Sequence, residues 1–372
     1  MIEESVWIRG KTPAKALKAR ALAFLKRNRR TVAILASLTG ILIACLLLAS
    51  AFGAVSIPPL DIVKMTLNKI GLTNFSETWA ATDETILFQI RLPRVIAAAL
   101  VGTALSSAGV LFQGLLRNPM ADPYIIGTSA GAAFGAILIM MLPVSLAFHG
   151  FGLIPIAAFL GALGAVFLVY NLARVGGKTP VISMLLAGFA VSSMLAAAMS
   201  LLITVSDTLQ LKLNSVFSFL MGGVWVSDWR QVAVITPIII GGIAIARFFA
   251  FRLNAFALGE EGAAYLGIDV ERVKLAILAL GSMLTAAAVS LSGLVGFVGL
   301  VVPHAVRLVL GPDHRLLLPA AALSGGAFLV LADLLARTVL APSEIPVGII
   351  TALVGAPFFI YLLRRTRREY AF

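Results

Sequence analysis

LAILALGSMLTAAAVSLSGLVGFVGLVVPHAV, residues 275–306, runs for 32 positions without one charged side chain. Such a run reads as membrane helix. At about 1.5 Å per residue, however, a single helix would reach about 48 Å, against a hydrocarbon core about 30 Å thick. Gly293, Gly296 and Gly299 lie inside it as break points. The stretch therefore reads as two spans, the second of them short. That split decides whether the chain crosses an even or an odd number of times, and so where its ends lie.

Working outward, residues 31–60 carry no charge, and Thr31–Ala54 is long enough to cross once. Further uncharged stretches lie at 95–116, 123–173, 179–206, 231–246, 316–332 and 345–363. The 123–173 stretch is broken by Pro143 and His149-Gly150 into two spans. The total is ten, and the class is an all-α polytopic membrane protein. The triplet Ala49-Ser50-Ala51 resembles a signal-peptidase site, but the apolar run before it exceeds the roughly 7–15 residues of a signal core. An uncleaved anchor is expected.

Charge placement agrees with ten spans. With both termini on one side, that side carries 22 of the 29 Lys and Arg, and the other carries 7. The seven are Lys64, Lys69, Arg91, Arg94, Lys212, Arg230 and Arg337. The basic side of a membrane protein is cytoplasmic. With nine spans the cluster Arg364, Arg365, Arg367 and Arg368 would face outward. Residues 1–30 form a basic cytoplasmic N-terminal extension with nine Lys or Arg, 31–365 the transmembrane domain and 366–372 a cytoplasmic tail. The largest outer loops are 55–91 and 206–230, and the largest inner loop is about 247–274.

Composition sets the same bounds. The chain of 372 residues is 60% hydrophobic and 12% charged, with a mean hydropathy of +1.02. Soluble domains carry about 25% charged residues. The 33 glycines suit close helix approach. A net charge of +12 would suit nucleic acid, but the charges flank apolar spans, as membrane anchors do. Nucleic acid is excluded as a partner, and lipid is expected. Cys45, the only cysteine, permits neither an internal disulfide nor a multi-cysteine metal site.

Few residues could carry chemistry. Gly10-Lys11-Thr12 and Gly177-Lys178-Thr179 look like the end of a phosphate-binding loop, but the earlier glycines it needs are Ser5 and Leu172. ATP, if used, binds elsewhere. Asp333 is the clearest ionisable group near a span, and Arg337 lies four residues on, placed to pair with it. Arg91-Leu92-Pro93-Arg94 opens the second span; these arginines either snorkel at the interface or meet an acidic partner outside. Leu258–Gly267 (LGEEGAAYLG) is either a surface turn or a docking knob for a cytoplasmic partner. Gly127, Gly131 and Gly135 form a small-residue stripe that reads as packing. His304 reads as structural, and no nucleophile arrangement or His-Glu metal constellation is present. The chain is not expected to be an enzyme.

Together RLPR at 91–94, GLLRNPMADPYIIGTSAG at 114–131, LGEEGAAYLG at 258–267, FVGLVVPHAVR at 297–307, GPDHR at 311–315 and ADLLARTVLAPSEIPVGIITALVGAP at 332–357 resemble the FecCD-type permeases. These are the membrane subunits of ATP-binding-cassette (ABC) importers for iron-siderophores, haem and cobalamin. The resemblance covers about residues 35–365. It implies a type II ABC importer permease-like fold in the cytoplasmic membrane. It also implies a second permease copy as a homodimer or a homologous heterodimer, two cytoplasmic ATPases and an extracytoplasmic substrate-binding protein. No cofactor is implied on this chain, since ATP and Mg belong to the ATPase. By resemblance, Arg91, Arg94 and Arg337 meet glutamates of the binding protein. Gly259, Glu260, Glu261, Ala263, Leu266 and Gly267 couple to the ATPase. Asn118, Pro119 and Met120 form a cytoplasmic gate region.

The first thirty residues depart from the family pattern. Thr12 could cap a helix with Pro13 in its first turn, and Ala14, Leu17, Ala21, Phe24 and Leu25 would share its apolar face. That suits a helix on the inner lipid surface; a disordered basic tail is the other reading. The mechanism expected is alternating access. The rival is a secondary transporter driven by an ion gradient, which would need buried carboxylates or broken helices at mid-membrane.

Overall fold

The computed structural model describes residues 13–366, apart from 54, 78, 143–146, 149, 150 and 227. Fifteen α-helices follow in order: α1 (Pro13–Ala51), α2 (Pro59–Lys69), α3 (Ala81–Thr85), α4 (Leu92–Leu115), α5 (Thr128–Met141), α6 (Leu153–Ala173), α7 (Val181–Val205), α8 (Asp207–Leu211), α9 (Leu213–Met221), α10 (Trp229–Phe256), α11 (Gly259–Tyr265), α12 (Val270–Ser292), α13 (Val298–Leu310), α14 (His314–Thr338) and α15 (Val347–Thr366). A π turn, Ile86–Arg91, joins α3 to α4. Ala147–Phe148 pairs with Phe151–Gly152 as a minimal antiparallel ladder between α5 and α6.

The ten expected spans correspond to α1, α4, α5, α6, α7, α10, α12, α13, α14 and α15. Seven of these are long and apolar enough to cross a bilayer, and α5, α13 and α15 are shorter apolar helices. Helix is what such sequences must form in lipid, because no water is there to satisfy backbone groups. The helix ends are written in the sequence. The side chains of Ser206, Asp228, Asp269 and Asp313 accept the first backbone N–H groups of α8, α10, α12 and α14.

The 275–306 stretch breaks where its glycines stand. Gly293 ends α12 at φ 60°, and Phe297 caps α13 at φ 68°. Strands of irregular chain stitch the gap: Gly223 N–H donates to Ser292 O at 2.8 Å, and Leu294 N–H donates to Phe219 O at 3.0 Å. α10 begins near the expected start but continues past Arg247 and Arg252 to Phe256, so the expected 231–246 span is too short. Charges near an interface snorkel and do not end a helix.

α4 is the central post, packed against α10, α12, α13 and α14. Glycine makes that closeness possible. A Cβ on Gly102 would strike the Gly325 carbonyl of α14, and one on Gly109 would strike the Gly299 carbonyl of α13. The expected glycine stripe is corrected in part. Gly131 and Gly135 lie against Gly161 and Ala157 of α6, but Gly127 is the left-handed cap of α5, φ 86°. α1 runs unbroken from Pro13, so the described part of the basic extension and the first span are one helix. The expected Thr12 cap, the side chains proposed for its apolar face and the tail from 367 lie outside what the structure describes.

Candidate docking and coupling sites

Two polar clusters lie at opposite ends of α4. The first contains the expected docking arginines. Arg91, at the end of the π turn, is only 6% exposed. Its guanidinium donates to Ser50 O at 2.9 Å, to Ala51 O at 3.3 Å and to Val55 O. The last carbonyls of a helix have no intrahelical donor, and a cation there is favoured by the helix dipole. Arg91 therefore closes the end of α1. In this structure Arg91 faces inward, with both terminal nitrogens donating inside the chain.

Arg94 stands one turn further along, with Pro93 between in the first turn of α4. Its Nε and Nη2 lie 3.1 Å from Asp333 Oδ1, and Nη1 reaches both Glu344 oxygens at 3.1 and 2.9 Å. Arg337 Nε donates to Asp333 Oδ2 at 2.9 Å, as the four-residue spacing predicts, and Nη2 donates to Ala49 O at 3.2 Å. Asp333 is wholly buried between the two arginines. A carboxylate so partnered is a structural anchor. Arg94 and Arg337 thus share Asp333, and Glu344 is the most exposed member of the group at 43%.

The second cluster surrounds α11. Glu260 turns inward, its Oε2 lying 2.7 Å from Lys274 Nζ. Lys274 is 4% exposed and also donates to Glu271 Oε1 at 3.1 Å and to Thr179 O at 3.3 Å. The other oxygen of Glu271 accepts from Thr179 N at 3.0 Å and Oγ1 at 2.6 Å. Ala263 is buried, Glu261 is exposed, and Gly267 ends the turn at φ 78°. The outward face is Leu258, Tyr265 and Leu266, with Tyr265 91% exposed. Of the expected coupling residues, Glu261, Leu266 and Gly267 are at the surface, whereas Glu260 and Ala263 anchor the helix from within. A Cβ on Gly259 would lie 3.4 Å from Arg117 Nη1, so α11 adjoins the segment after α4.

That segment holds the expected gate residues. Asn118 Oδ1 accepts from Met120 N at 2.9 Å, bending the chain at Pro119. Pro119 and Met120 lie beside Leu300, His304, Phe358 and Phe359 of α13 and α15. The chain then dips into the break between α12 and α13: Tyr124 Oη donates to Val295 O at 3.1 Å. Asp122 Oδ1 accepts from Tyr124 N at 2.8 Å, and burial pushes its carboxyl up to about 6. Among the described residues no group of three or more His, Cys, Asp or Glu is placed to hold a metal ion.

Sequence reasoning missed Glu344, Lys274, Glu271, Thr179 and Tyr265. Lys274 and Glu271 are three residues apart on one helix face, a legible pair. Nothing in the sequence pattern joins them to Thr179, or Glu344 to Arg94.

Residues 41–365 match the model of the FecCD transport family. A cobalamin import system permease from Halobacterium salinarum is 49% identical over 283 residues, 76% of this chain and 74% of that protein. A hemin transport system permease from Yersinia pestis is 42% identical, covering 76% of this chain and 84% of that one. A solved structure described as an inward-facing, metal-chelate type ABC transporter superposes with a TM-score of 0.77 at 31% identity. It covers 89% of this chain and 99% of its own.

Proposed function

The chain belongs to the FecCD transport family, and from that premise we infer that it is the permease subunit of an ABC importer for a metal chelate of the cobalamin, haem or ferric-siderophore kind. It is a multi-pass protein of the inner membrane and performs no covalent chemistry. ATP hydrolysis falls to a separate ATPase, and substrate arrives on a binding protein.

We place both termini in the cytoplasm, since that orientation puts 22 of 29 basic side chains inside. The arginine cluster then faces the binding protein and α11 faces the ATPase, which holds the ATP and Mg. A second copy of this chain completes the pathway as a homodimer. Arg94 is the docking contact, Arg337 fixes it through Asp333, and Arg91 secures the end of α1 beside them. Complementary charge of this sort sets register and encounter rate more than raw affinity. On the other side Leu258, Tyr265 and Leu266 form the apolar knob that enters the ATPase. The Asn118–Met120 bend is the cytoplasmic gate, because it joins α11 through Arg117 to the break between α12 and α13. ATP-driven movement of α11 biases the helices between outward-open and inward-open states.

The observation that carries this reading is the family match over 41–365, together with two polar clusters at opposite ends of one central helix. The ion-gradient reading finds no support in Asp333, which is held by two arginines. Proteoliposomes containing the permease, its ATPase and its binding protein should take up chelate only with ATP. Uptake driven by an ion gradient without the ATPase would overturn the assignment.

A further inference from the structure

We propose that Lys274 is the positioning residue that makes α7 follow α11, so that movement received at the coupling helix is delivered to a second membrane helix. The proposal rests on the reading of α11 as the ATPase contact. It goes beyond that reading in naming the link and the helix at its far end.

The network has three arms on one ammonium. Lys274 Nζ reaches Glu260 of α11, Glu271 of its own helix and the carbonyl of Thr179, two residues before α7 begins. Glu271 holds the same threonine a second and third time, through its amide and its hydroxyl. Thr179 is itself buried, 3% exposed, so its bonds are shielded from competing water. Opening an arm leaves part of the charge of a buried ammonium uncompensated, which is costly. A shift of α11 large enough to stretch the Glu260 arm therefore draws Lys274 and Thr179 with it.

α7 is suited to respond. Only Met184, Gly188 and Val191 of its 25 residues are buried. Ile182, Phe189 and Leu201 face outward, while Leu185, Leu195 and Leu202 are only partly buried against the core. A helix with so few fully buried side chains can tilt at a smaller packing cost than α4 or α12. The chain entering α7 is fixed at Thr179, and Gly188 rests on the Ile125 carbonyl of the segment that follows the gate residues. Pulling on Thr179 thus changes how α7 lies against the 118–127 segment.

The test uses the assembled complex in proteoliposomes, with Cys45 replaced by Ala. A single environment-sensitive label sits either at Ala264→Cys on α11 or at Ile182→Cys on α7. With ATP and vanadate, both labels should respond in the otherwise unchanged protein. In Lys274→Met the α11 label should still respond while the α7 label stays silent. ATP hydrolysed per chelate transported should rise at least fivefold, and Lys274→Arg should restore both readouts. Should Lys274→Met fail to assemble, Glu260→Gln removes the charge of one arm and should give a smaller α7 response with the same sign. An α7 label that responds fully in Lys274→Met or Glu260→Gln overturns the proposal. An α11 label that is silent in the unsubstituted protein overturns the coupling reading on which it rests.

Discussion

Arg94 holds both carboxylate oxygens of Glu344, at 2.9 and 3.1 Å, across 250 residues of sequence. The outer face of the docking arginine is therefore occupied by the chain's own glutamate. A carboxylate arriving on a binding protein must displace it. The exchange is near-balanced, since the pair is partly solvated and such pairs contribute about 0.2–1 kcal/mol.

Glu344→Gln should tighten docking of the binding protein by up to about fivefold, because one competitor is neutralised. Arg94→Glu should lose measurable docking. Surface plasmon resonance on nanodisc-embedded permease reads both. Unchanged affinity in Glu344→Gln would show that the arginine is not the contact.

Arg91 predicts the opposite profile. Replacing it with Leu leaves the carbonyls of Ser50, Ala51 and Val55 without their donor in a buried place. The loss should be about 2–4 kcal/mol, seen as a lower midpoint in thermal unfolding. Binding-protein affinity of the folded fraction should hold. A drop in affinity at undiminished stability would restore Arg91 as a direct contact.

Gly109→Ala and Gly241→Ala form a contrasting pair. The first pushes a methyl into the Gly299 carbonyl, and the second meets nothing within 4 Å. The first should cost about 1–3 kcal/mol through overpacking. The second should be neutral or gain up to about 1 kcal/mol in helix propensity. Equal melting temperatures for the two would contradict the close approach of α4 and α13.

Asp122 predicts a pH dependence. Burial raises its carboxyl from 3.8 to about 6, so the fold favours the protonated form. That contribution is complete below 3.8 and is lost as pH rises through about 6. Asp122→Asn mimics the neutral acid and keeps an oxygen for the Tyr124 amide. Its melting temperature should match the parent below pH 3.8 and exceed it increasingly as pH rises from 3.8 to about 6. A constant difference across that range would remove the titration at this site.

Much of the fold was legible in the sequence because the bilayer limits the choices. Charge-free runs gave the spans, the glycines at 293–299 gave the break, and Asp333 with Arg337 gave an ion pair at helical spacing. The sequence fell short wherever partners were distant. Arg91 and Arg94 are three residues apart in one motif and read alike. Their fates differ because the end of α1 meets one and the linker before α15 meets the other. In the same way LGEEGAAYLG showed two adjacent glutamates. Only the position of Lys274 decides that Glu260 turns inward while Glu261 faces out. A side chain's direction on a short helix depends on its neighbours, which composition does not contain.

The interruption between α12 and α13 has one more effect. Between its two ends, Leu294 N–H is bonded to Phe219 and the Val295 carbonyl to Tyr124, not to another turn of α12 or α13. Swinging α13 relative to α12 therefore requires no helical hydrogen bond to be broken at membrane depth, where such a rupture would be most penalised. The polypeptide has a joint already made, and rearranging it exchanges one set of loop contacts for another. A rigid 32-residue rod through the same place would have to be snapped to move.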